Sequence, residues 1–98
     1  MPIKQSEKNL TKKVLKALNL IPMLKAVKRE ASGVRNGQSD ITGAYKGIRI
    51  EIEMKVGYNK PTPKQLEWLA DWKAVGCLTG VAYSLEDALT ILKIDLYK

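Results

Sequence analysis

The chain has 98 residues, with 17 Lys+Arg against 10 Asp+Glu for a formal charge of +7, no histidine, and one cysteine, Cys77. These counts exclude Ser-His-Asp and Cys-His nucleophile pairs, an imidazole general base, Cys/His zinc sites and an intramolecular disulfide framework. With 45% hydrophobic and 28% charged residues the composition is that of a folded globular chain, one domain over 1–98, and no apolar run approaches the roughly 18 residues a membrane helix needs.

In chain order, Glu7, Leu10, Val14, Leu18 and Ile21 recur at helical steps, with Lys8, Lys12, Lys13 and Lys16 on the solvated side and Pro22 closing the segment. Residues 23–31 read as a strand, and 32–39 as a loop through Gly33, Gly37 and their small polar neighbours. A short strand over 40–45 and a tight turn at Lys46-Gly47 lead into 48–55, where Ile48, Ile50, Ile52 and Met54 alternate with Arg49, Glu51, Glu53 and Lys55. A hairpin of 40–45 with 48–55 follows. After a loop to 62, Thr62-Pro63-Lys64-Gln65 opens a helix with an N-cap, a proline at its first position and a capping-box glutamine, and Gly76 ends it. Residues 77–83 form another apolar strand, Ser84 caps a last helix through Leu92, and 94–98 is a tail or edge strand. The order αβββαβα describes a mixed sheet with helices packed on it.

The hairpin brings Asp40, at the far end of one strand, close to Glu53-Met54-Lys55 at the far end of the other; Glu53 and Lys55 share a face. Two carboxylates without histidine suit a hard, oxygen-loving cation such as Mg²⁺, which polarises a phosphodiester and lowers the pKa of a bound water. A lysine beside it can orient that water or offset charge developing on the phosphorus oxygens. The basic excess agrees with nucleic acid as partner, although solubility alone also explains it. Each part has an ordinary reading too: alternating charges along a half-exposed strand are usually a solvated face, and Asp40 after Ser39 could cap a turn.

In order, Gly37-Gln38-Ser39-Asp40-Ile41, Ile52-Glu53-Met54-Lys55 and then Gln65 in a Pro-led helix resemble the virus-type replication-repair nuclease domain, VRR-NUC, of the PD-(D/E)XK nuclease superfamily. The resemblance runs from about Glu7 to Ser84 and implies an α/β, restriction-endonuclease-like core. It further implies metal-dependent DNA cleavage with Mg²⁺, or Mn²⁺ in its place. Asp40, Glu53 and the Met54 carbonyl would be the metal ligands, Lys55 the catalytic lysine, and Gln65 and Glu7 further members of the site. Stand-alone proteins similar to this one act as homodimers on branched DNA such as four-way junctions, in replication, repair and recombination. Those are viral or prophage proteins working in a bacterial cytoplasm. Ser39 departs from the pattern, which has proline there; the position shapes the loop and donates no ligand.

Independently of the resemblance, Gln65 shares a helix face with Trp68, Leu69 and Trp72, yet a capping box with Thr62 also accounts for it, and both roles are compatible. Glu7 lies on the apolar row of the first helix, where complementing the helix N-terminus is the simpler reading. Glu51 competes with Glu53 or pairs with Arg49, and Trp68 and Trp72 have the spacing of core residues. Lys28, Arg29 and Arg35 are candidate phosphate contacts. The alternatives to an endonuclease are a non-catalytic DNA-binding module, with salt-sensitive binding and no turnover, and a protein-interaction domain whose charge serves solubility.

Overall fold

In a computed structural model that describes residues 6–29 and 37–94, the elements run α1 (Glu7–Leu18), β1 (Leu24–Lys28), β2 (Ile41–Tyr45), β3 (Ile48–Met54), α2 (Pro63–Ala74), β4 (Leu78–Ala82) and α3 (Leu85–Ile91). The expected order is therefore the observed one, and the fold class is α/β with a mixed sheet. Arg35 and the tail over 95–98 lie outside the described residues.

Each boundary has a local cause. Ser6 caps α1 by accepting from Asn9 N–H at 3.0 Å, and Leu10, Val14 and Leu18 bury the apolar row. At the other end the Asn19 amide donates to Ala26 O and accepts from Ala26 N–H, both at 2.9 Å, so that it serves β1 as a strand partner would on the sheet's open edge. Lys46 and Gly47 both have positive φ, the conformation of the two-residue hairpin turn between Tyr45 and Ile48. Gly43 is required by close approach, because a Cβ there would stand 2.0 Å from Lys25 O.

The sheet order is β1-β2-β3-β4, with β1, β2 and β3 antiparallel and β4 parallel to β3 across the α2 connection. The core joins Leu10, Val14 and Leu18 of α1 to Ile41, Ile50, Ile52 and Met54 of the sheet and to Ala88, Leu89 and Leu92. The opposite face of β3, bearing Arg49, Glu51 and Glu53, is the face that α2 meets through Gln65 and Trp68. A solvated face is the default for such alternation, but Glu51 and Glu53 are 0% and 1% exposed. Among the described residues, no helix is long and apolar enough to cross a membrane.

Candidate metal centre

Strand register carries Asp40 and Glu53 together: Ile41 pairs with Ile52, so the preceding and following residues face one another at the strand ends. Asp40 Oδ2 accepts the Met54 N–H at 2.9 Å, which ties the two ends. The Met54 side chain itself is buried in the core. Glu7, in the first turn of α1, completes the group. One carboxylate oxygen each of Glu7, Asp40 and Glu53 lie within 4.8 Å of one another. Glu7 thus serves the helix N-terminus and also faces the acidic cluster.

Glu53 is the centre of this group. Its Oε2 accepts from Gln65 Nε2 at 2.9 Å and lies 3.3 Å from Lys55 Nζ. Its Oε1 is buried without a hydrogen-bond partner. Burial, followed by the Asp40 charge, pushes the Glu53 carboxyl up to about 7; Lys55 partly offsets the rise and Glu7 adds to it. A buried acceptor with no donor costs on the order of 1–3 kcal/mol. Three oxygen-donor carboxylates without nitrogen or sulfur ligands, and one such oxygen left over, fit a hard divalent cation. Gln65 both caps α2 and bonds Glu53. Its Oε1 accepts the Thr62 N–H at 2.9 Å while Thr62 Oγ1 accepts the Gln65 N–H at 3.1 Å, and the amide nitrogen remains for Glu53.

Beside this centre lies a second cluster that the sequence reading did not assemble. Glu51 Oε1 accepts from Ser39 Oγ at 2.7 Å, Trp68 Nε1 at 2.9 Å and Arg29 Nη1 at 3.0 Å. Its Oε2 accepts from Thr42 Oγ1 and from Arg49 Nε at 3.0 Å. Burial alone would raise this carboxyl, but the donors from Arg29, Thr42, Ser39 and Trp68 outweigh it and hold the group at about 2. Arg29, anticipated at DNA phosphates, instead turns its guanidinium inward, because a buried carboxylate needs a counter-charge. Lys28 is exposed on the edge strand β1.

Trp68 and Trp72 are half-buried and lie outside the apolar core. They meet edge to face at 5.9 Å between ring centroids, Trp72 lies 3.4 Å under the Arg49 guanidinium, and Trp68 lies 5.3 Å from that of Arg29. Their helical spacing signals an inward face, but says nothing of whether that face meets aliphatic or charged groups. The available signal for the cluster was Glu51 standing between Arg49 and Glu53 on a single strand face.

A solved structure described as a VRR_NUC domain protein superposes on this chain with a TM-score of 0.68 at 21% identity, over 93% of this chain and 88% of the other. No protein-family model and no curated protein matches the sequence. The fold is thus that of a VRR_NUC domain protein, in agreement with the motif order of the sequence.

Proposed function

We propose that this chain, built on the fold of a VRR_NUC domain protein, is a Mg²⁺-dependent endonuclease that hydrolyses phosphodiester bonds in DNA. The observation that carries the reading is the convergence of one carboxylate oxygen each of Glu7, Asp40 and Glu53 within 4.8 Å, together with an unpartnered, buried Glu53 oxygen and Lys55 alongside. When bound, the cation polarises the phosphodiester and lowers the pKa of an attacking water. Asp40, Glu53 and Glu7 would hold it, with the Met54 carbonyl as a further oxygen. Gln65 donates to Glu53 Oε2, and Oε1, which has no hydrogen-bond partner, would be open to such an ion. Lys55, whose Nζ lies 3.3 Å from Glu53 Oε2, would orient the water or offset charge developing on the scissile phosphate.

The net charge of +7 supports a polyanionic substrate. Exposed Lys28, with Lys8, Lys12, Lys13 and Lys16 along α1, supplies cations able to meet phosphates. We assign branched DNA, such as a four-way junction, as the substrate and a homodimer as the acting form, since two centres related by a two-fold suit a two-fold junction.

The purified protein should nick or resolve branched DNA with Mg²⁺ or Mn²⁺ and be inert in EDTA. Asp40→Ala and Glu53→Ala should abolish cleavage, and Lys55→Ala should lower its rate by about 10²–10³. Full cleavage by all three variants would reject the site. Salt-sensitive binding without metal-stimulated cleavage would instead make the chain a non-catalytic DNA-binding module.

A further inference from the structure

We propose that Glu51 is a positioning residue for the Asp40 carboxylate, acting through Ser39 and Arg29; the inference rests on the metal reading above. Glu51 is fully buried and belongs to no step of that chemistry. Its two oxygens point in different directions. Oε2 is held by Thr42 and Arg49, which lie on the same hairpin as Glu51 itself. Oε1 reaches out of the hairpin to Trp68, Arg29 and Ser39, and Ser39 is the residue before Asp40.

Arg29 completes a clamp around that dipeptide. Its Nη1 donates to the Ser39 carbonyl at 3.0 Å and to Ser39 Oγ at 3.2 Å, and its backbone N–H donates to the Asp40 carbonyl at 2.7 Å. Pairing between β1 and β2 begins only at Ile41, so Ser39 and Asp40 stand outside the ladder that fixes the rest of β2. Gly37, two residues earlier, has φ +89° and lies so close to α2 that a Cβ would stand 2.8 Å from Lys64 O. A metal ligand must be held to within about 0.5 Å by the groups behind it. Here the Met54 N–H holds the Asp40 carboxylate directly, and the other holding groups converge on Ser39, which is 2% exposed. Proline, the residue the resemblance leads one to expect, would stiffen this loop by fixing φ. Ser39 stiffens it instead through a hydroxyl bound to a buried ion cluster.

The test compares Ser39→Ala, which removes the hydroxyl joining the Ser39-Asp40 dipeptide to Glu51 and leaves the two Arg29 bonds to its backbone carbonyls, with Thr42→Val, which cuts a bond to the other Glu51 oxygen. The readout is the midpoint of Mn²⁺ binding in the absence of DNA, by electron paramagnetic resonance, with the apparent affinity for Mg²⁺ or Mn²⁺ from the rise of Tm with metal concentration as the second measurement. Ser39→Ala should raise the metal midpoint about 10-fold, the usual effect of removing a group that orients a ligand, while Thr42→Val lowers Tm and leaves the midpoint in place. If Ser39→Ala does not fold, Arg29→Lys, which keeps the charge but not the double grip on Ser39, must move the midpoint the same way. Equal midpoints in wild type and Ser39→Ala, or equal shifts in Ser39→Ala and Thr42→Val, overturn the positioning role alone. No metal effect on the wild-type protein overturns the metal reading and this inference with it.

Discussion

Glu51 and Glu53 project from the same face of β3, both buried, yet one is held at about 2 and the other is pushed up to about 7. Both lose hydration, so burial cannot separate them. The difference lies in the donors. Glu51 has five side-chain partners, including two guanidinium groups. Glu53 has Gln65 and Lys55 on one oxygen, no partner on the other, and Asp40 and Glu7 as like-charged neighbours. Glu51 is satisfied by its own protein. Glu53 is left with a deficit that a cation can fill, so a single strand carries a structural anchor and a candidate ligand side by side.

The largest effect should come from breaking the satisfied member. Glu51→Ala strands Arg29 and Arg49 around a buried hole and should cost about 3–5 kcal/mol of stability. Glu53→Gln should do the reverse in EDTA at pH 8, raising stability by about 1–3 kcal/mol because it removes an anion that the metal-free site disfavours. Thermal or urea denaturation measures both. If the two substitutions lowered stability alike, the contrast between the residues would not hold.

A pH titration sharpens the comparison without any mutation. The folded-state value of Glu53 is raised above its reference of 4.5, so its stabilising contribution is complete below pH 4.5 and is lost as pH rises through about 7. That of Glu51 is lowered, so its contribution is present above pH 4.5 and is lost as pH falls toward about 2. Each amounts to about 3 kcal/mol at most, and their sum peaks near pH 4.5 in metal-free protein. Mg²⁺ should restore the stability lost between pH 4.5 and about 7 when added above pH 7, and do little at pH 5. A metal-free Tm that rose steadily from pH 5 to 8 would contradict the assignment for Glu53.

The order αβββαβα was legible in the sequence because caps, the Lys46-Gly47 turn and the alternation in 48–55 are local signals. The pairing of Asp40 with Glu53 was legible too, since a two-residue turn sets the register of both strands. The burial of the polar face was not. Alternation distinguishes two faces of a strand, but whether the polar one meets water or α2 depends on contacts distant in sequence. The same limit hid the inward turn of Arg29 toward Glu51 and made Trp68 and Trp72 resemble aliphatic-core residues. Glu7 presented a different difficulty: one carboxylate at a helix start has a sufficient local explanation, so in the sequence only the family resemblance pointed it toward the site, and its approach to Asp40 and Glu53 is seen in three dimensions.

The smallest effect concerns the residue that joins α2 to the deficient carboxylate. Gln65 uses its amide oxygen for the capping box and its amide nitrogen for Glu53. Gln65→Glu preserves an acceptor for the Thr62 N–H but replaces the donor with a second anion facing Glu53. The cap itself should therefore survive, whereas Thr62→Ala, which removes it, should cost about 1 kcal/mol whatever the metal content. In EDTA at pH 8, Gln65→Glu should destabilise by about 1–2 kcal/mol through like-charge repulsion. Added Mg²⁺ should reverse most of that loss, because a cation between the carboxylates replaces the missing donor. Stability measured with and without Mg²⁺ for both variants separates the roles: a Gln65→Glu deficit that Mg²⁺ left untouched would mean that Gln65 acts on the helix alone and that the unpartnered Glu53 oxygen owes nothing to it.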